Sequence, residues 1–323
     1  MVVLNQLMES YNKFNHLKIH SQYSICEGAL KINELSDFCK KKKIKALGLS
    51  DTSNLCGALE FSENISKVGT QPILGTQINF KYKNEYGLLP LIAKTKKGYR
   101  SIVHLSSKSF LDSHDHELPH CEIQDLIDNS EDIILLSGSI NGLLGNLFNK
   151  GRFDDMVELY KVFKRKFKNN FYIEIQRHND NGEKLFEKFL LNVSEKLNLP
   201  VIATHEVFYL EKDMYEAHDA YLCIGEKTYV NVKDRRKYSE EHYLKTSEEM
   251  HNLFHDLPDA LENNANFALK ISYRPKNSPP VLPDIQTIKV KNVDELLIKD
   301  SDDGLIEKLN TYVFPNCNQK EKE

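Results

Sequence analysis

The sequence of 323 residues contains no tryptophan, no C-x-x-C pair and no apolar run near the length of a membrane helix. A membrane-spanning helix needs about 20 consecutive apolar residues, so we expect no membrane role. The six cysteines are scattered, which is typical of reduced thiols rather than of a disulfide scaffold. The N-terminus lacks the basic start and the cleavage site of an export signal. We therefore expect a cytoplasmic protein.

An excess of positive charge is also missing. The chain has 43 Lys and Arg residues against 47 Asp and Glu residues, a net charge of −4 at pH 7. This balance does not indicate nucleic-acid binding over the whole surface. The basic run Lys40–Lys45 follows an apolar-periodic stretch that is typical of a helix. Cations at the C-terminus of a helix are stabilised by the helix dipole. We interpret the run as such a helix end, with a DNA or partner contact as the alternative.

What is present is an alternation of short β-rich runs with amphipathic stretches over the first 220 residues. Several of the runs are almost continuously apolar, which is typical of parallel strands buried on both faces. Residues 182–198 carry an apolar stripe with helical spacing. Repeated βα units predict a parallel barrel or a doubly wound sheet. The predicted strands are 16–20, 46–51, 72–80, 88–93, 132–137, 171–176 and 200–206.

The later part of the sequence no longer alternates β-rich runs with amphipathic stretches. Residues 239–271 have the pattern of helices, residues 272–285 are rich in proline and predict a linker, and residues 292–311 predict one short helix. In a barrel, chemistry collects at the C-terminal ends of the strands. The polar residues at or just past the predicted strand ends are therefore the first candidates, namely His20, Asp51, Gln77, Ser139, Gln176, His178, His205 and Glu206.

Short motifs give a more specific indication. The chain reads HLKIHSQYSICEGA at 16–29, SDTSN at 50–54 and GALEF at 57–61, followed by PILG at 72–75 and EIQRH at 174–178. Over roughly residues 14–285, these blocks and their order resemble the N-terminal PHP (polymerase and histidinol phosphatase) domain of bacterial replicative DNA polymerase α subunits.

The resemblance implies an α/β fold, a distorted TIM-like (βα)7 barrel with a helical C-terminal extension. It also implies a division of the chain into four parts. These are an N-terminal extension (1–13), the barrel core (14–225), a helical part with the Pro-rich linker (226–285) and the start of a polymerase region (286–323). No P-x-D-x-D run occurs, so we expect the catalytic palm of the parent polymerase beyond residue 323 and no DNA synthesis by this chain alone.

Active PHP domains hold two or three divalent ions through His and carboxylate ligands, which activate water and clamp phosphate. Lys18, Thr52, Gln77, Leu88, Ser139 and Phe208 occupy ligand positions and are poor ligands. His20, Glu27 and Glu206 remain, beside Asp51, and are too few for a cluster. The resemblance therefore implies a vestigial metal-site pocket, with no metal cofactor and no catalytic residue. The pocket comprises Lys18, His20, Glu27, Asp51, Thr52, Gln77, Leu88, Ser139, Glu206 and Phe208.

Loss of the metals would leave unpaired buried acids, which is costly. We therefore expect Lys18 to act as a tethered cation that pairs with Glu27, Asp51 or Glu206. The histidines at 114, 116 and 120 resemble a metal cluster, but their polar surroundings favour a solvated loop.

The resemblance implies an inactive scaffold that supports the polymerase and docks a separate proofreading exonuclease subunit. Its expected partners are that exonuclease and the rest of the polymerase chain, with DNA met only through the parent polymerase. The alternative is a phosphoesterase or 3′–5′ exonuclease with one Zn²⁺ or Mn²⁺ held by His20, Glu27, Asp51, Glu206 and His205. A DNA-binding module based on Lys40–Lys45 is a third interpretation.

Overall fold

The structure is a computed structural model that describes residues 14–114, 116–281 and 292–317. The chain divides into two compact units, residues 1–277 and 278–323. The predicted N-terminal extension 1–13 and part of the predicted linker lie outside the described residues. None of the helices within the described ranges is long and apolar enough to cross a membrane.

The first unit is built on one curled sheet. Its strands occur in the order β8-β7-β6-β4-β3-β2-β1-β9, with β5 paired to β3. β8 and β9 are the two ends of residues 201–207, and they pair with β7 and with β1 respectively. One stretch of chain thus supplies both edges of the sheet, which confirms the distorted α/β barrel. The strands are β1 (Lys18–Ile19), β2 (Ala46–Thr52), β3 (Gln71–Tyr82), β4 (Glu85–Ala93), β5 (Cys121–Glu122), β6 (Ile133–Leu136), β7 (Phe171–Ile175), β8 (Val201–Ala203) and β9 (Glu206–Val207).

One strand breaks the parallel pattern that the apolar runs predicted. β4 runs antiparallel to both β3 and β6. The cause is the two-residue connection Lys83–Asn84, since a tight turn can join only antiparallel strands. Lys83 takes a positive φ of 56°, as such turns require. The short strand β5 was not predicted from the sequence.

Eleven α-helices are present in the described residues. Those of the first unit are α1 (Ile32–Lys42), α2 (Ala58–Lys67), α3 (Lys96–Leu111), α4 (Ile123–Asp128), α5 (Leu143–Asn149), α6 (Phe153–Phe167), α7 (Glu183–Leu197), α8 (Tyr215–Gly225), α9 (Ser247–Leu253) and α10 (Pro258–Ala265). The second unit contains α11 (Val293–Lys308), where one short helix was predicted. The helix predicted over 182–198 is confirmed as α7.

The helix predicted to begin at residue 239 is wrong at its start. α9 begins at Ser247, because the Thr246 hydroxyl accepts from the Glu249 amide and Glu249 reaches back in a capping box. The preceding residues are extended and pair with the segment after β9. The Phe208 amide donates to the His242 carbonyl, and the Leu244 amide donates to the Tyr209 carbonyl. This pairing brings residues 238–245 over the strand ends.

The apolar core lies between the sheet and the helices around it. All four residues of β6 and all five of β7 are buried. α6 buries one face of large side chains, Met156, Leu159, Tyr160, Phe163 and Phe167, and leaves the other face to solvent. Against this apolar core, polar side chains of β1, β7 and β9 come together in one place, namely Lys18, Glu174 and Glu206.

Candidate functional site

The centre of the site is the fully buried side chain of Lys18. Its Nζ lies 3.3 Å from Glu174 Oε1 and 3.4 Å from Glu206 Oε1. The β1–β9 register sets Lys18 directly opposite Glu206, and β7 supplies Glu174. The expected ion pair with Glu206 is therefore present, while Glu174 is a partner that the sequence reasoning missed.

Burial and charge act in opposite directions on this group of residues. Burial alone would lower the pKa of Lys18, but the carboxylates of Glu174 and Glu206 outweigh it and raise that pKa above its ordinary value. For Glu206, burial favours the neutral acid. Lys18 and the hydrogen bond from His20 prevail, and they hold the Glu206 pKa well below its usual range. The ammonium and the Glu206 carboxylate are thus both charged near neutral pH.

Glu174 has hydrogen bonds on both oxygens. Its Oε1 accepts from Gln176 Nε2 at 2.8 Å and from the Thr204 hydroxyl, and its Oε2 accepts from the Gly138 amide at 3.1 Å. A buried carboxylate with this many donors needs no further cation beyond Lys18.

His20 joins the two sides of the pocket. Its Nε2 lies 3.0 Å from Glu206 Oε1 and 2.9 Å from Gln77 Nε2, and its Nδ1 lies 3.3 Å from the Thr52 hydroxyl. The ring of Phe208 packs against it, with 4.5 Å between the ring centroids. An apolar ring thus covers the imidazole.

The carboxylates of Glu27 and Asp51 are each held by hydrogen bonds from residues distant in the sequence. The Glu27 carboxylate accepts from the Thr52 hydroxyl and from Tyr238 Oη at 3.0 Å, and Arg236 lies 3.3 Å away. Asp51 accepts from the Ser21 amide at 2.7 Å and from the hydroxyls of Ser21 and Ser24. Burial raises the Asp51 pKa, although these hydrogen bonds oppose the shift.

Two of the predicted pocket residues lie apart from this network. Leu88 is opposite Asn79 in the β3–β4 ladder. Ser139 lines a small cavity with Glu174 and Gln176, and its hydroxyl accepts from the Asn141 amide at 3.3 Å. The other eight predicted residues are connected directly or through Ser24.

Active PHP domains are expected to hold a metal cluster, and the donor atoms of this pocket can be compared with what such a cluster needs. The oxygens of Glu27, Asp51 and Glu206 already accept from neighbouring side chains, and the Lys18 ammonium lies between the two central carboxylates. A divalent cation there would be repelled by Lys18 and would have to displace these donors. These residues do not fit a two- or three-metal cluster.

A second group of possible ligands lies beside the pocket. Ligand atoms of His178, Asp180 and His242 fall within 4.8 Å of one another. His178 Nε2 accepts from the Glu206 amide, and its Nδ1 faces Glu183 at 3.3 Å, so both nitrogens are engaged. His242 Nε2 lies 3.4 Å from Asp180 Oδ2.

This second group could not be found from the sequence as a motif. His178 and His242 come from different segments and meet as parallel rings with 4.0 Å between centroids. His205, assigned to a residual metal site in the alternative prediction, instead stacks on His178 at 4.5 Å and lies 3.0 Å from the Tyr243 carbonyl through its Nε2.

The histidine-rich stretch near residue 116 behaves as a loop. His120 Nδ1 lies 2.8 Å from the Leu118 carbonyl, a contact within the loop itself. Asp115 lies outside the described residues. Among the residues that are described, His114, His116 and His120 do not form a group of ligand atoms close enough for a metal.

Comparison with known proteins agrees with the sequence motifs. The PHP domain family matches residues 16–178. The DNA polymerase III subunit alpha of Rickettsia bellii is 34% identical over 303 residues, covering 93% of this chain and 26% of that protein. The subunits of Caulobacter vibrioides (33% identity, 90% of this chain, 26% of that protein) and Borreliella burgdorferi (34%, 86% and 25%) are similar. The chain therefore spans about a quarter of the length of these curated relatives.

Among solved structures, an amidohydrolase from Chromobacterium violaceum aligns with a TM-score of 0.41 and 9% identity, covering 60% of this chain and 87% of that one. A two-domain protein from Bacteroides vulgatus that contains a predicted PHP-like metal-dependent phosphoesterase aligns with a TM-score of 0.38 and 13% identity, covering 74% and 62%. By the family match and by its polymerase relatives, the chain belongs to the PHP domain family and is similar to the PHP domain of DNA polymerase III alpha subunits.

Proposed function

We propose that this chain is a catalytically inactive PHP domain that acts as a scaffold within a replicative DNA polymerase. The observation that carries the proposal is the Lys18 ammonium, buried between Glu174 and Glu206 where a metal-binding PHP pocket would hold cations. The fixed positive charge of Lys18 then takes the place of the metal ions that an active PHP pocket would bind. The pocket is stabilised from within and no metal-bound water is available to attack a phosphate.

The same proposal gives the domain a docking role. The relatives are named DNA polymerase III subunit alpha, and the remainder of such a chain would carry out DNA-directed DNA synthesis. A domain that keeps its fold without its chemistry is suited to hold other proteins in place. We assign it the proofreading exonuclease subunit as partner, in addition to the rest of the polymerase chain.

Metal content tests the inactive pocket. The purified chain is dialysed with Mn²⁺ and Zn²⁺, and its metal is counted by plasma mass spectrometry. We expect near-zero stoichiometry and no phosphoesterase activity above that of a protein-free blank. Tightly held ions with activity that a Glu206→Gln substitution abolishes would refute the proposal.

Exonuclease docking needs its own measurement. The cognate proofreading subunit is titrated against the 323-residue chain by calorimetry. We expect binding by the native chain at tens of micromolar or tighter. Absence of binding would remove the docking role and leave the inactive pocket untouched.

The alternative function is a phosphoesterase with a single ion. The observation that favours it is the pair His242 and Asp180, whose facing atoms are 3.4 Å apart with His242 Nε2 buried and without a hydrogen-bond partner among the described residues. The substitution His242→Gln separates the two functions. If the native chain holds one ion and His242→Gln loses it, the alternative is favoured.

A further inference from the structure

A second charged region lies at the opposite end of the barrel, where β7 and β8 begin. A groove of about 1030 Å³ is enclosed by the end of α6, the end of α7 and the residues that lead into β8. Twelve residues line it, and none of them is acidic. Five are cationic, namely Lys161, Lys164, Arg165, Lys168 and Lys270.

The cations of α6 form one stripe. Lys161, Lys164 and Arg165 are spaced i, i+3 and i+4, which places them on a single face of α6, and Lys168 follows directly after the helix ends. The opposite face carries the buried rings of Tyr160, Phe163 and Phe167 (relative exposure 0%, 0% and 3%), which fix the orientation of the helix. The stripe is therefore held in the groove by the packing of the core.

The four cations of the stripe are not neutralised by acidic side chains in the described part of the protein, which is also true of the Lys40–Lys45 run. Ion pairs are frequent elsewhere on its surface, but Lys161, Lys164, Arg165 and Lys168 make none with any acidic residue in the described ranges. Lys164 Nζ instead donates to the Leu197 carbonyl at 2.5 Å, across the groove. Lys270 lies over the ring of Tyr172 and donates to its hydroxyl.

The C-terminal ends of two helices offer a simpler explanation for the cations of the groove, but this explanation does not account for all five of them. The C-termini of α6 and α7 both reach the groove, and each contributes about half a negative charge that attracts cations in the last turn. Together they offset about one charge of the five. Lys161 lies more than one turn from the end of α6, and Lys270 belongs to neither helix.

The backbone conformation at the end of α6, on one side of the groove, is also uncommon. Lys168 takes φ 50° and ψ −119°, a region that favours glycine. A lysine at such a position costs of order 1 kcal/mol or more, yet it extends the basic stripe past the end of α6. Asn198 on the facing wall is also in the left-handed region, with φ 46°.

We propose that this basic groove binds the phosphate backbone of duplex DNA without reading its sequence. The seven steps from Lys161 to Lys168 span about 10.5 Å at the helical rise, and one DNA strand carries about three phosphates over that axial length. Four cations in a row match this density of charge. The aromatic residue in the lining, Tyr172, is 2% exposed and cannot stack on a base, so a backbone contact is favoured over a single-strand platform.

This inference goes beyond the scaffold proposed above and differs from the expectation that DNA is met only through the parent polymerase. It does not depend on the Lys18 pocket, which lies at the other ends of the strands. It also places the contact on α6 rather than on the Lys40–Lys45 run.

Fluorescence anisotropy with the 323-residue chain and a labelled duplex of about 25 base pairs tests the groove. With up to five phosphates neutralised, log affinity should fall against log salt with a slope of up to about −4.5. The double substitution Lys161→Glu/Arg165→Glu should weaken binding roughly tenfold or more and reduce the slope by about 2. The matched control is Lys40→Glu/Lys41→Glu, which makes the same change in net charge at the end of α1 and should change affinity less than twofold.

Several outcomes would overturn the proposal. Equal losses in the two double variants would assign the attraction to net charge alone. A native chain that does not bind the duplex, or binds with a salt slope near zero, would exclude a phosphate site. Equally tight binding of a poly-glutamate peptide of matched charge would assign the groove to an acidic protein segment. Circular dichroism melting of both variants excludes a loss of fold, since all four substituted residues are exposed.

Discussion

Lys18 and Lys161 carry the same ammonium group in opposite surroundings at opposite ends of the barrel. Lys18 is completely buried and lies within 3.4 Å of two carboxylates. Lys161 is exposed and has no acidic partner in the described part of the chain. A buried charge is tolerated only when the protein supplies its partner, whereas an exposed charge needs no partner from the protein and is free to bind a ligand. The difference separates a self-contained pocket from a surface available for binding.

The largest effect should come from removing the buried cation. Lys18→Met leaves Glu174 and Glu206 buried without their counter-ion, which should lower the free energy of unfolding by roughly 3–5 kcal/mol. Urea denaturation measures the change. The control Lys161→Met should stay within about 0.5 kcal/mol.

A compensating substitution sharpens this prediction. Adding Glu174→Gln to Lys18→Met removes one of the two unpaired charges and should recover part of the loss. If Lys18→Met alone changes stability by less than about 1 kcal/mol, the buried ion pairs do not hold the pocket together.

The second-largest effect is a dependence of the unfolding free energy on pH, which we do not expect from the exposed groove. Burial lowers the His16 pKa from 6.5 to about 4, and it lowers those of His178 and His205 well below 6.5. The folded state therefore keeps these rings neutral, while the unfolded chain protonates them below pH 6.5. Their stabilisation is present above pH 6.5 and is lost as pH falls toward 4, by about 3 kcal/mol for His16.

The substitution His16→Gln isolates this contribution. It should flatten the fall in unfolding free energy between pH 6.5 and 4, whereas His255→Gln, on the surface, should leave the slope unchanged. Glu183 acts in the opposite direction, because burial raises its pKa to about 7 and its contribution is lost as pH rises from 4.5 to 7. The readout is therefore the difference in slope between variants. Identical slopes would show that His16 is protonated in the folded protein.

A smaller effect is expected at the rim of the pocket. Tyr238→Phe removes one hydrogen bond to Glu27, 3.0 Å long, but leaves the contacts of Glu27 with Thr52 and Arg236. The loss should be about 1.5 kcal/mol in urea denaturation, as for a hydrogen bond to a charged acceptor. Tyr229→Phe on an exposed tyrosine is the control. A loss as large as that of Lys18→Met would mean that the rim, rather than the central ion pairs, holds the pocket.

The sequence predicted most strands of the first unit. A strand that is buried on both faces is an almost continuous apolar run, whichever strands lie beside it. The sequence also named Glu206 as one of three possible partners of Lys18, beside Glu27 and Asp51, and the structure pairs Lys18 with Glu206. Glu174 was missed although its motif was noticed, because its contact with Lys18 depends on the curling of the sheet, which brings β7 near β1 although the two strands do not pair. The direction of β4 depended on a two-residue turn that periodicity does not describe.

The groove shows the same limit in another form. The stripe on α6 is visible in the sequence, but a basic stripe at a helix end is usually a solvated face. Only the folded chain shows that Lys270 joins it from a distant segment and that no acidic residue lines the opposite wall. Charge complementarity of a surface is set by long-range contacts, which one sequence does not contain.

The smallest effect concerns the stability of the groove itself. Lys161→Gln/Arg165→Gln removes an i,i+4 repulsion of about 0.2–0.5 kcal/mol and also removes a favourable helix-end charge of about 0.3–1 kcal/mol. The two terms nearly cancel, so the unfolding free energy should change by less than about 0.5 kcal/mol at low salt and less still at high salt. Urea denaturation at both salt concentrations measures it. A loss above 1 kcal/mol would make these cations structural, as Lys18 is, and the contrast between the two ends of the barrel would fail. If stability is unchanged while DNA affinity falls, the groove carries charge for a ligand and not for the fold.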